Sequence, residues 1–356
     1  MTMIIERKSI ESISWLVDEA TYRADPALSY STLARYEREG FNGLDKLFDK
    51  IDSPSLTFGS VVDTLITGTE GEFNDKFMVA QMDNPPSDTL ILITKKLFDT
   101  WKDEYTDIKD IPDDTVISTI QDIPWNNHWL PKTRAKKIKE DCAAYYKLLY
   151  LSEGKTIISN YTYNDALNCV DALKSANSTR FYFEENDLFD NNIQRFYQLK
   201  FKATFGGIDY RCMADEIIVF HDAKIVVPVD LKTSSKPEWD FYKSFVDWNY
   251  HLQARLYWRI IRANMDKDPY FKDFKLADYK FIVVNRKTLT PLSWAFESTT
   301  FEGDIIVGDQ VWRDPFVIGR ELNSYLKDRP KVPNGIDLVK PNNIEAWINE
   351  SNKKRW

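Results

Sequence analysis

A chain of 356 residues that is 43% hydrophobic and 14% aromatic can bury a large core, and its length suits one large domain or two smaller ones. Its net charge of −8 argues against non-specific coating of nucleic acid, which depends on Lys and Arg neutralising phosphates, although a local basic channel stays open. Cys142, Cys169 and Cys212 lie far apart without a CxxC pair, so neither a disulfide framework nor a zinc or iron-sulfur site is indicated, and any metal must be held by oxygen.

The opening MTMIIERKSI reaches charge too early for a signal peptide, and no stretch approaches the roughly 20 apolar residues of a membrane span. A cytoplasmic protein with no membrane partner is expected. Without internal repeats or low-complexity tracts, residues 1–356 read as one elaborated domain. In SYSTLARYEREG (29–40), Ser29 or Ser31 can cap a short helix with Leu33 and Tyr36 on one face and Gly40 as its stop. FGSVVDTLITG (58–68) predicts a second helix, apolar through Phe58, Val61, Val62 and Leu65, with Ser60 and Asp63 on the other face. Residues 83–153 are punctuated by proline (DNPPSD, DIPDD, DIPW) and then helical through AAYYKLLYL, which suggests an insertion or subdomain. Its basic run PKTRAKKIKED (131–141) either solvates a helix face or touches DNA through Lys136 and Lys137.

NYTYNDALNCVDALKSA (160–176) is an amphipathic helix that leads into a strand-rich centre. QRFYQLKFKAT and GIDYRCMADEIIVF meet at Gly206 and Gly207, which predicts an antiparallel hairpin with a tight glycine turn. AKIVVPVDLKT follows as a third strand, residues 238–265 as one long helix and YKFIVVN (279–285) as a fourth, buried strand. Two late elements, around LSWAFES and PFVIGRELNSYLK, finish the chain. This order predicts an α/β fold with a mixed central β-sheet flanked by helices, N-terminal helical elements, a large insertion and a core over 190–290.

The chemistry gathers in that core. Asp230 and Lys232 are two residues apart on one strand and so share a face. A lone Asp-x-Lys is ordinarily a surface ion pair of little consequence. Asp215, however, stands 15 residues earlier, and side-by-side strands would bring the two carboxylates together. Carboxylates so placed repel unless a cation separates them, and a hard-oxygen site of this kind suits magnesium or manganese. Such sites hydrolyse phosphodiesters by polarising a phosphoryl oxygen and lowering the pKa of a bound water, with a lysine orienting the nucleophile or neutralising developing charge. On the following helix, Gln253 and Tyr257 lie at i and i+4 on one face.

Asp215 with Asp230-Leu231-Lys232 resembles the PD-(D/E)xK nuclease superfamily, whose core is restriction-endonuclease-like. Gln253 and Tyr257 match the Q-x-x-x-Y of RecB-family nucleases, and Tyr250-His251-x-Gln253-x-x-x-Tyr257 is similar to the phage-type RecE (exonuclease VIII) branch. The resemblance covers about half of the chain. It implies a magnesium-dependent exonuclease, with manganese able to substitute, that digests double-stranded DNA in recombination or DNA processing. Asp215, Asp230 and the Leu231 backbone carbonyl would hold the metal, Lys232, Gln253 and Tyr257 would complete the catalytic set, His251 would be structural or contact a DNA phosphate, and Arg255 would contact DNA. A homo-oligomeric ring and a single-strand annealing protein are the partners it implies. Two positions depart from the family: Asp63, which either binds the magnesium itself or is only a solvent-facing helix residue, stands where a metal-binding His is common, and Gln198 where a Glu is usual. They leave open a decayed DNA-binding or assembly protein on a nuclease fold, while the insertion leaves open a structure-specific or nicking endonuclease.

Overall fold

The computed structural model describes residues 7–49, 51, 53–81, 86–187 and 191–328. After a 3-10 turn at Ile10–Ile13 come α1 (Glu19–Ala24), α2 (Tyr30–Glu39), α3 (Pro54–Thr67) and α4 (Glu70–Lys76). Ser29, Ser53 and Thr69 start the last three, each side chain accepting a backbone N–H three residues on. Ser53 and Pro54 begin α3 earlier than its apolar face suggests, because an N-cap followed by proline is a complete start signal.

The chain then forms β1 (Phe77–Ala80), α5 (Asp88–Trp101), α6 (Asp113–Thr119), α7 (Pro131–Leu151) and β2 (Thr156–Ser159), with β2 returning parallel to β1. Helices α5 to α7 close around an apolar cluster of their own that includes Ile93, Leu97, Ile138 and Tyr146. They fall in the stretch read as an insertion, whose residues 83–85 lie outside those described. Helix α8 (Asn160–Ser175) packs Cys169, Val170 and Leu173 in one cluster with Val61 and Val62 of α3.

The central sheet is built from β3 (Ile193–Phe205), β4 (Ile208–Phe220) and β5 (Ile225–Thr233), followed by α9 (Phe241–Asp247) and α10 (Tyr250–Met265), then β6 (Lys275–Leu276), β7 (Lys280–Val284) and β8 (Leu292–Ala295). Its order is β3-β4-β5-β7-β8 with β6 also beside β5; β5–β7 is parallel and the β3–β4, β4–β5 and β7–β8 pairs are antiparallel. The fold is therefore α/β with a mixed central sheet flanked by helices, as expected. Gly206 and Gly207 form the β3–β4 turn with φ of 57° and 77°, the doubly left-handed geometry that matches the twist of a two-residue hairpin. One sheet face is covered by α2 and α10 and the other by α3 and α8, so β5 and β7 read as nearly continuous apolar runs. A short β9 (Ile305–Val307) and β10 (Gln310–Trp312) hairpin precedes α11 (Pro315–Asp328).

One expected element is corrected. Residues 238–265 form a 3-10 turn (Glu238–Asp240), α9 and α10, not one helix. The Trp248 N–H turns back to the carbonyls of Ser244 and Val246, and Asn249 then adopts φ 54°, a left-handed conformation that asparagine tolerates better than most residues. The β1–β2 pair, β6 and the β9–β10 hairpin were not anticipated, since each strand has four residues or fewer.

Candidate active site

Along β4, Cys212 and Ala214 belong to the α10-side core, but so do Ile217 and Val219. The alternation of faces therefore inverts between 214 and 217. Its counterpart on β3 lies between Phe196 and Leu199, both packed with the same core. The inversion falls where Gln198 faces Asp215, between the paired Tyr197–Glu216 and Leu199–Ala214, and Gln198 has φ 54°. A kink in two paired strands redirects a side chain without breaking the register.

On its other side β4 pairs with β5 as far as Glu216–Val229, so Asp215 and Asp230 are the next residues to face each other as the ladder ends. The Leu231 N–H donates instead to Asp215 Oδ2 at 2.9 Å. Asp230 is 1% exposed; the Gln253 amide Nε2 donates to its Oδ1, and the Lys232 ammonium stands 2.5 Å from its Oδ2. The buried Gln253 Oε1 has no hydrogen-bond partner among the described residues. The Lys232 ammonium also lies over the Tyr250 ring, 4.8 Å from its centroid. Tyr257, one turn beyond Gln253, is buried with its ring set edgewise against Tyr279.

Burial, with Asp230 and Asp63 adding to it, pushes the Asp215 carboxyl well above the ordinary range, against the pull of Lys232 and the Leu231 N–H. Burial alone would lower the Lys232 ammonium, but Asp230, Tyr250 and Asp215 reverse this and hold it above its usual value. It stays charged. Burial likewise raises Tyr257 well above the normal phenol range, with Asp230 and Asp215 among the charges that contribute. Burial and the neighbouring carboxylates thus disfavour the ionised forms of Asp215 and Asp63, a penalty that a bound cation would reduce.

Asp63 comes from α3, and Gln198 Nε2 reaches both of its oxygens, at 3.0 and 2.9 Å. Burial raises Asp63 to about 6, Lys76 opposing and Asp230 adding to the shift. The two departures from the family pattern are thus partners. Glu216, which sequence reading passed over, is 2% exposed with neither carboxyl oxygen hydrogen-bonded, and burial raises it well above its normal value. No sequence signal marks it, because strict alternation would place it on the face opposite Asp215.

Of the two alternatives for His251 its burial favours the structural one, and the DNA contact expected of Arg255 is corrected. His251 is 2% exposed and stacks on Trp312, and Arg255 is wholly buried, pairing with Asp314 at 2.8 Å and donating to the carbonyls of Phe301 and Gly303. Neither can reach a phosphate on the surface. Lys136 and Lys137 are exposed on α7 and lie 3.9 and 2.8 Å from Glu140 and Asp141 one turn on, so that face carries its own counter-charges. Arg134 of the same run is buried and donates to the Ile123 carbonyl.

Among the described residues no three His, Cys, Asp or Glu side chains group closely enough to hold a metal by themselves. Asp215 and Asp230 with a backbone carbonyl and solvent still suit magnesium, which commonly takes only one or two protein carboxylates. The Asp215 carboxyl, disfavoured as an anion by burial and by Asp230, would be stabilised by such an ion. Among the described residues no helix is long and apolar enough to cross a membrane. No protein-family model matches the chain, and no curated protein matches it. Among solved structures it is similar to a crystal structure from Eubacterium rectale described as "Putative exonuclease", at 13% identity and a TM-score of 0.40, over 88% of this chain and 85% of that one. At that level the likeness carries neither fold nor activity across.

Proposed function

We propose that this chain is a magnesium-dependent deoxyribonuclease that hydrolyses DNA phosphodiester bonds, acting as a double-strand exonuclease of the RecE-like type in recombination or DNA processing. The observation that carries the reading is the meeting of Asp215 and Asp230 at the end of the β4–β5 ladder, with Lys232 and Gln253 both on Asp230. A surface ion pair would explain Asp230 and Lys232 alone; it does not explain a buried aspartate braced by a glutamine from another element, opposite a second carboxyl.

In this reading Asp215, Asp230 and the Leu231 carbonyl hold magnesium, or manganese in its place. When bound, the ion would supply charge stabilisation at a phosphoryl oxygen. Gln253 fixes the Asp230 carboxylate from one side and the Leu231 N–H fixes Asp215, so both are oriented before substrate arrives. Lys232 keeps its proton and offers a fixed positive charge to the negative charge that builds on phosphate as the bond breaks. Tyr257 lines the same helix face. A single-strand annealing protein and a ring of identical subunits remain the partners the family resemblance suggests.

A second reading, a DNA-binding protein on a decayed site, draws on Gln198, whose amide engages both oxygens of Asp63 where a further metal ligand would stand. Incubation with linear, nicked and covalently closed circular DNA separates the readings. Linear DNA should be degraded with magnesium and spared with EDTA, closed circles should persist, and Lys232→Ala and Asp230→Asn should each lower turnover at least about a hundredfold while the fold is kept. Full cleavage in EDTA, or undiminished turnover by Lys232→Ala, would remove the metal or the lysine from the mechanism; binding without cleavage by the intact chain would leave the second reading.

A further inference from the structure

The left-handed Asn249 sends its two neighbours in opposite directions. Tyr250 turns inward and packs in a triangle of rings with Phe241 and Phe281, with the Lys232 ammonium over its face. Trp248 turns outward and is 51% exposed. It is not a loose side chain: the Tyr30 hydroxyl donates to its carbonyl at 2.7 Å, and the Arg38 guanidinium stands 5.2 Å from the ring centroid. Trp239 and Tyr242, a few residues earlier, are 55% and 56% exposed.

One exposed aromatic side chain needs no explanation. This indole, however, is anchored through its backbone, covered by a cation and only two residues from the ring that carries the candidate catalytic lysine. The neighbouring Lys236 and Lys243 are each held by a carboxylate, Asp247 and Asp240. Arg38 is exposed and has no carboxylate partner among the described residues, so its charge is available to a ligand. In a chain of net charge −8, attraction for a polyanion has to come from such local sites.

We propose that Trp248 and Arg38 form a stacking platform for an unpaired nucleobase and its phosphate, so that the preferred substrate is a DNA end with a frayed or single-stranded tail rather than a flush duplex. The inference deepens the nuclease reading of the Lys232 site and rests on it for the direction in which the strand runs. The chemistry is general: a base has a π face in every sequence, an exposed indole offers one in return, and a guanidinium beside it meets the phosphate. Paired bases inside a duplex cannot reach such a ring.

The test is fluorescence anisotropy in EDTA, where cleavage plays no part, with tailed duplex, single strand and blunt duplex as probes. Trp248→Ala should weaken binding of the tailed and single-stranded probes about tenfold, leave the blunt duplex nearly unchanged, and give a normal circular dichroism spectrum. Trp248→Phe should retain most of the affinity, and Arg38→Ala should reduce the salt dependence by about one phosphate contact. Unchanged binding of tailed DNA by Trp248→Ala, an equal loss on blunt duplex, or a Phe variant as weak as the Ala variant overturns the platform. Because binding is read apart from cleavage, a chain that uses Trp248 to select tailed DNA yet never cuts it keeps the platform and loses the nuclease reading. A chain that cuts while Trp248→Ala binds normally does the reverse.

Discussion

His251 shows how far a residue's setting can depart from its motif. Burial, with the Arg255 guanidinium beside it, lowers its pKa to about 3. Because the folded-state value lies below the unfolded one, near 6.5, the unfolded chain takes up the proton first; the stability of the neutral ring is complete above about pH 6.5 and is lost as the pH falls toward 3. Asp63 acts in the opposite sense, its raised pKa of about 6 favouring the fold as the pH falls from there toward 4. His251→Phe keeps a ring against Trp312 and removes only the histidine's share. Between pH 7 and 5 the native chain should therefore lose about 2 kcal/mol more than the variant, measured by urea unfolding of both at each pH. Parallel pH profiles would show that the ring is not held neutral. The sequence made Asp215, Asp230, Lys232 and Gln253 legible because their spacing on strand and helix fixes their faces. It hid the burial of His251 and Arg255, whose partners Trp312, Phe301, Gly303 and Asp314 lie more than 40 positions away. It also hid the Asp63–Gln198 pair, which depends on the left-handed backbone at Gln198.

Among the elements, those with strong local signals were legible: the Gly206-Gly207 hairpin, the capped N-terminal helices and the apolar runs of β5 and β7. The break before α10 was not, since apolar residues recur at helical spacing through 238–265 and no proline or glycine interrupts them past Pro237. What decides the break is the single left-handed residue Asn249, and it matters for function because it places Lys232's aromatic support inside and Trp248 outside. Asn249→Ala should cost about 1 kcal/mol, the penalty for a β-carbon in that conformation, while Asn249→Gly should be within about 0.5 kcal/mol of the native residue. The two variants compared by chemical denaturation decide this; a stabilising alanine would mean that the two helices merge without loss and that the break is incidental.

At the scale of the whole molecule, the buried apolar residues among those described form three clusters, two lying against the faces of the sheet and a third whose buried members fall between Leu90 and Tyr146. The third cluster is made by helices whose hydrophobic contacts are mainly with one another: Ile93 and Leu97 of α5, Val116 of α6, and Ile138, Cys142 and Tyr146 of α7 are all completely or almost completely buried in it. Segments that close their own core tend to open as a unit, with a free energy separate from that of the remaining fold. Ile138 is fully buried at the centre of this cluster, so Ile138→Ala should remove about 2–5 kcal/mol locally through lost burial and the cavity left behind. If α5 to α7 form an independent unit, hydrogen exchange in the variant should accelerate across 88–151 while the amides of β3, β4 and β5 keep their protection. DNA cleavage, which the proposal assigns to the sheet, should then persist at temperatures where the helical unit is already open. Acceleration spread evenly over both regions would instead make the chain one cooperative whole, with the α5–α7 cluster bound into the stability of the candidate site.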